Sequence, residues 1–172
     1  MRGWNGLRNL STRLQDFIVD TNKGVLRNVN EIDIINKNND YGAVGVHFVG
    51  KIDKKIYSCI TDDIVTDDVI ITDVQIQHIK DRHPNDFERF RIYFSEIIQN
   101  PDFIIKANKP YSALVLKEVK DTNNELFKMI IRLVTSVDNA DYKNSIITFM
   151  KIDNKEWNRL LRNKMVLYRR NK

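Results

Sequence analysis

The sequence predicts an α+β protein in which helices pack on a four-stranded antiparallel sheet, preceded by a β-ribbon and an N-terminal helix. Three observations carry that expectation. Apolar residues recur at three- and four-residue spacing near the start and again mid-chain, which is the period of one helix face. Thr72 and Gln75 have the S/T-x-x-E/Q spacing of a capping box, and Pro84 stops the helix they open. From Asp102 onward the apolar period changes to two, the period of a strand.

The elements follow in order. Trp4, Leu7, Leu10, Leu14, Phe17 and Ile18 form one apolar stripe, so residues 4–19 are expected to be an amphipathic helix with Arg8, Arg13 and Asp16 in water. Residues 21–41 are rich in Asn and weakly patterned, which reads as a linker. The chain thus divides into 1–42, a helix and linker, and 43–172, a compact domain. Within the domain, 43–49 and 55–60 read as two strands joined around Gly50 and Asp53, with a third short apolar run at 69–71. A helix over 72–83 comes next. A second follows Pro84, with Phe87, Phe90, Phe94, Ile97 and Ile98 as its stripe and Asn100 and Pro101 as its end. Strands are expected at 103–106, 112–119, 125–134 and 145–152, the middle pair closed by the polar turn 121–124. A short helix over 154–163 and an edge strand at 166–168 complete the chain.

Length and composition narrow the function classes. A chain of 172 residues, 42% hydrophobic and 30% charged, can bury a core without staples. Cys59 is the single cysteine, which excludes an internal disulfide and fits a reducing compartment. No apolar run approaches the roughly 20 residues of a membrane span, and no apolar block of signal-peptide length follows Arg2, so a cytoplasmic protein is expected. The net charge of +5 is concentrated: residues 155–172 hold seven basic residues against Glu156, a net of +6, which leaves −1 for the remainder. Such a segment can hold a polyanion by displacing its counterions, so nucleic acid is an expected partner.

Several chemistries lack their residues. His78 and His83 point roughly 140° apart on a helix, unlike the four-residue spacing of a zinc helix, and the acids from Asp62 to Asp73 lack the ligand spacing of a calcium loop. No metal and no cofactor are expected. There is no G-x-S-x-G elbow and no phosphate-cradling glycine loop. The remaining inventory of His, Arg, Lys, Ser and Thr suits metal-independent RNA cleavage. In that reaction the substrate's own 2′-hydroxyl attacks the phosphate, and the protein supplies proton transfer and fixed cations. His78, beside the permanent cation Arg82 about 40° away, is the candidate for proton transfer. His83 continues the apolar stripe, where it is expected to hold the helix end. Arg82, Lys117 or Arg132 would hold the phosphate, and Ser112 or Thr148 would donate hydrogen bonds.

The segments HIKDRHPNDF at 78–87, IIQNPDFII at 97–105, KPYSALVLK at 109–117 and SIITFM at 145–150, in this order, resemble the phage-associated barnase–EndoU–colicin–RelE-like nuclease domains. The resemblance spans roughly 43–169. It implies helices followed by a four-stranded antiparallel sheet, and a metal-independent ribonuclease or toxin of phage or mobile-element type. It implies catalytic roles for His78, Arg82 and His83 on the helix and for Lys117, Arg132 and Thr148 on the strands. Lys109, Ser112, Arg159 and Arg162 are the expected substrate-binding residues. The expected partner is RNA, with tRNA included, and an inhibitor or phage protein docking on the N-terminal helix. The alternative is a non-catalytic RNA- or protein-binding phage module. By strand alternation Lys117 should share a face with Ala113 and Val115, Arg132 with Lys128 and Ile130, and Thr148 with Ile146 and Met150.

Overall fold

The meander expected from residue 103 onward forms the middle of a larger sheet. A computed structural model describes residues 33–35, 45–120 and 124–171 of the chain. Its strands are β1 (Asp33–Ile35), β2 (Val46–Lys51), β3 (Asp68–Thr72), β4 (Phe103–Lys106), β5 (Ser112–Val119), β6 (Glu125–Arg132), β7 (Asn144–Ile152) and β8 (Val166–Arg169). They form one sheet in the order β1-β2-β3-β7-β6-β5-β4-β8. All neighbours are antiparallel except β3 and β7, which run parallel.

This overturns the four-stranded antiparallel sheet and its separate ribbon. The expected ribbon strands β2 and β3 continue the sheet, because β3 pairs with the edge of β7 at Asn144 and Ser145. An unpaired strand edge is a row of unsatisfied donors and acceptors, and β3 answers part of it. Asp86 answers more: its carboxylate accepts the Lys151 N–H at 3.1 Å. Side-chain periodicity reveals that a segment is a strand but not which strand lies beside it. The helix expected over 4–19 and the turn residues 121–123 lie outside the described residues.

The second expected ribbon strand, 55–60, is also corrected. Lys54–Tyr57 forms a short helix, α1, because the Asp53 side chain accepts the Lys55 N–H and caps it. α1 buries Tyr57, whose hydroxyl donates to the Ile98 carbonyl at 2.9 Å. α2 (Asp73–Arg82) starts at the predicted capping box: Thr72 Oγ1 accepts from Gln75 N, and Gln75 Oε1 accepts from Thr72 N. The second expected helix is broken into α3 (Asp86–Phe90), a 3-10 turn (Arg91–Tyr93) and α4 (Phe94–Gln99). Phe87, Phe90, Phe94, Ile97 and Ile98 are all buried, so the stripe packs through the break. The last helix, α5, covers Asn154–Asn163 as expected, with Asp153 as its N-cap.

The helices divide between the two faces of the sheet. On one face, called the helical face, α2, α3 and α4 cover Ala113, Val115, Phe127, Met129, Ile131, Ile146 and Phe149. On the other, α5 brings Trp157, Leu160 and Leu161 onto Leu114, Leu116, Ile130, Met150 and Ile152. β5 is therefore covered on both sides and reads as a nearly continuous apolar run. α5 spans only part of its face. The end of that face where β5 begins, β6 ends and β7 begins has no helix over it, and a cleft opens there.

Candidate active site

The open end of the sheet is built around Arg132, the last residue of β6. Cross-strand register places it opposite Ser112 of β5 on one side and Ser145 of β7 on the other, so all three side chains leave the same face. A cleft of about 790 Å³ is lined by Arg132 and Ser145 together with Thr72, Gln75, Asp138, Asp141, Tyr142 and Lys143. Asn144, fully buried, ties the floor together: its Oδ1 accepts from Val134 N at 2.8 Å and its Nδ2 donates to the Thr66 carbonyl at 2.7 Å.

Arg132 is held at one end and idle at the other. Its Nη2 donates to both Asp138 oxygens at 3.0 and 3.2 Å. Asp138 is itself fixed by the Thr135 N–H and hydroxyl, and these bonds, with the guanidinium, keep its carboxyl below the usual range. The guanidinium also lies 5.2 Å from the centroid of the Tyr111 ring. Nη1, by contrast, is shielded from water and has no hydrogen-bond partner. An orphaned donor costs roughly 1–3 kcal/mol, which an acceptor entering the cleft recovers once the guanidinium turns toward it. Arg132 is 31% exposed, so that turn is sterically open.

The residues expected from the sequence fall into three groups. Ser112, Arg132 and Thr148 share the open face, Thr148 lying opposite Ile130. Thr148 does not share its face with Ile146, as simple alternation predicts. A bulge between Ile130 and Ile131 pairs Ile146 with Ile131 and turns it into the core of the helical face. His78 and Arg82 are exposed on α2, and His83 is half-buried at its C-cap, where its N–H reaches the Ile79 carbonyl. Helix geometry puts His78 and Arg82 roughly 60° and 20° round the axis from Gln75, and Gln75 lines the cleft. The stripe from Gln75 through His78 to Arg82 therefore leads away from the cleft along α2.

Lys117 is placed elsewhere. Five residues from Ser112, it points to the helical face, where its side chain is 5% exposed. Its Nζ lies 3.4 Å from Glu96 Oε1 and 3.8 Å from Asp102 Oδ1, in a separate cleft of about 600 Å³ that Arg170 and Lys120 also line. Of the expected substrate-binding cations, Arg159 is paired with Glu156, while Lys109 and Arg162 are exposed away from both clefts' linings. The basic segment is partly tied to the domain with its charge intact: Lys164 donates to Asn108, and Arg169 lies 5.0 Å from the Phe103 ring centroid.

The sequence did not single out Tyr111, Asp138, Tyr142, Lys143 or Ser145. Tyr111 adopts a left-handed backbone (φ 51°), a conformation costly for a bulky residue that no local sequence signal announces. Residues 135–143 read only as a connection. His47 was missed as well. Its Nε2 lies 2.6 Å from Asp73 Oδ1, while Asp73 Oδ2 accepts the Gly45 N–H at 3.0 Å. The hydrogen bond with His47 is the main reason the Asp73 carboxyl sits below its ordinary range. A Cβ on Gly45 would fall 2.3 Å from Asp73 Oδ2, so any larger residue would push the carboxylate aside and disturb its bond to His47. The pair is a staple between β2 and the start of α2, across the sheet from the cleft.

The sequence matches the phage-Barnase-EndoU-ColicinE5/D-RelE like nuclease 2 family over residues 46–169. The chain belongs to that family. It is a nuclease domain, and its substrate class is nucleic acid. No curated protein and no solved structure matches the chain. Among the described residues no helix of this nuclease is long and apolar enough to cross a membrane, and no three His, Cys, Asp or Glu side chains converge on a point.

Proposed function

We propose that this nuclease is a metal-independent endoribonuclease, of the kind used as a toxin by phages and mobile elements, and that the Arg132 cleft is its active site. The orphaned Nη1 of an anchored arginine carries this reading: it is a donor with no internal acceptor, and a phosphodiester entering the cleft satisfies it once the guanidinium turns. The substrate's 2′-oxygen attacks the adjacent phosphorus and the bond to the 5′-oxygen breaks, leaving a 2′,3′-cyclic phosphate and a 5′-hydroxyl. Arg132 stabilises the charge that builds on the phosphate, and Arg82, about 10 Å along α2 from Gln75 at the cleft edge, holds a neighbouring phosphate of the same strand. Thr148 donates a hydrogen bond from the open face, while Ser112, 5% exposed, gives its own hydroxyl to the Pro110 carbonyl at 3.2 Å and shapes the floor. His78 takes the 2′-hydroxyl proton, and the departing 5′-oxygen takes one from water in this open cleft. tRNA falls within the substrate class.

The test is incubation of the purified protein with total RNA in excess chelator. Cleavage products should end in cyclic phosphate, and His78→Ala should cut at a rate lower by roughly 10²–10⁴-fold. Cleavage that appears only on adding a divalent ion, or products with 3′-hydroxyl ends, would sink the mechanism. Binding of RNA with no turnover in any condition would instead favour a non-catalytic module.

A further inference from the structure

Arg132 sits on the central strand of three. On the β5 side, Tyr111 immediately precedes Ser112, the residue that pairs with Arg132. On the β7 side, Tyr142 lines the cleft three residues before Ser145, which also pairs with Arg132. Both tyrosines are open to solvent, Tyr111 at 42% and Tyr142 at 61%. Among the described residues Tyr111 and Tyr142 are the aromatics exposed to this degree, and both flank Arg132, whose Nη1 has no partner.

We propose that Tyr111 and Tyr142 are base-stacking platforms on either side of Arg132, and that they make the cleft select unpaired nucleotides over duplex. This deepens the proposed function, resting on it only for RNA as the substrate. Three physical points support it. First, β5 and β7 are two strand spacings apart, about 10 Å, whereas bases in a duplex follow one another at roughly 3.4 Å along each strand. Rings at the entries to these two strands, on either side of Arg132, suit two splayed bases better than two stacked ones. Second, Asp138 and Asp141 offset Arg132 and Lys143 within the lining, and Lys143 is also paired with Asp68 at 3.1 Å. A wall so balanced grips a polyanion weakly by charge alone, so stacking must supply much of the hold. Third, Tyr111 is locked in place: its left-handed backbone is held by the Leu133 N–H on its carbonyl at 2.8 Å, and its ring already carries the Arg132 guanidinium. A ring fixed before binding loses little entropy when a base stacks on it.

The test separates binding from chemistry by using a short 2′-O-methyl RNA oligomer, which has no free 2′-hydroxyl and cannot be cut. Its anisotropy is titrated with the full chain in chelator, alone and annealed to its complement. The unpaired oligomer should bind at least tenfold more tightly than the duplex. Tyr111→Ala and Tyr142→Ala should each weaken it roughly 5- to 100-fold, whereas Tyr142→Phe, which keeps the ring, should bind within about twofold of wild type. Equal affinity for duplex and single strand overturns the proposal. So does unchanged binding by both alanine variants, or a loss in Tyr142→Phe as large as in Tyr142→Ala. Tyr142 lies in a connection outside the strands, so its variants report on stacking even where Tyr111→Ala proves too unstable to titrate. Should the oligomer bind as expected while natural RNA stays intact, the cleavage mechanism fails and the platforms stand.

Discussion

Lys117 and Arg132 are both strand cations beside carboxylates, yet the two faces of the sheet use them oppositely. Lys117 lies beneath the helices with two carboxylates in front of it and almost no exposure. Asp102 is there a hub as well: its Oδ2 accepts from Glu118 N at 2.8 Å and its backbone carbonyl from Arg170 N at 2.9 Å. The lysine's single point charge is absorbed by these neighbours. Arg132 gives one amine to Asp138 and keeps another unassigned. A guanidinium presents several donors in a rigid fork, so it can be anchored and available at once, while a buried ammonium between two acids is spent on structure. On this comparison Lys117 holds β5, α4 and the C-terminal strand together, and Arg132 meets substrate.

The largest effect that sharpens the comparison is on Arg132. Arg132→Ala should lower kcat/KM for RNA cleavage by roughly 10²–10³-fold, with the melting temperature nearly unchanged because the side chain is partly exposed. Arg132→Lys should recover little of it, since an ammonium cannot pair with Asp138 and offer a second planar donor. Full activity in Arg132→Lys would break the contrast.

Lys117→Ala should act on stability instead, by about 1–2 kcal/mol in urea unfolding, between the values for exposed and buried pairs, because Lys117 is buried while Glu96 is 45% exposed. Lys117→Met, which fills the volume, should unfold later than Lys117→Ala while folded molecules of both cut RNA at the wild-type rate. If Lys117→Met is stable but inactive, the two faces do not divide as argued.

The smallest effect concerns the covered half of the open face. Arg159, and after it Lys128, hold the Glu156 carboxyl down to about 2 from an ordinary 4.5. A lowered carboxylate pKa contributes stability that is complete above the unfolded value and is lost as pH falls through the folded one. The wild type should therefore lose melting temperature relative to Glu156→Gln between pH 4.5 and about 2. Discounted for solvent around the half-exposed Arg159, the term is about 1 kcal/mol, or roughly 2–4 °C. Cleavage per folded molecule should not change, since α5 stands beside the cleft rather than in it.

Local chemistry made much of this legible in advance. The capping box at Thr72 and Gln75 and the stop at Pro84 set α2 to within a residue, because a helix end is decided by side chains within one turn. Period-two patterning placed β4 to β7, and the amphipathic run after Asp153 placed α5. The motif order also pointed to the family that the chain belongs to. Residues 55–60 were misread because a one-turn helix carries too few positions to show a period, and Asp53 as a cap outweighed the β-formers after it.

What only the tertiary structure decided was adjacency. Periodicity within a strand says that Lys117 and Ser112 oppose each other, yet only the inter-strand register shows that Ser112 shares its face with Arg132 and Ser145. A single bulge moved Ile146 off the face of Thr148, and the pairing of β3 with β7 turned a ribbon and a meander into one sheet. Such contacts join residues tens of positions apart through backbone hydrogen bonds that every residue type can make. Side-chain identity therefore determined the elements and the reactive inventory, and packing chose which of those residues meet.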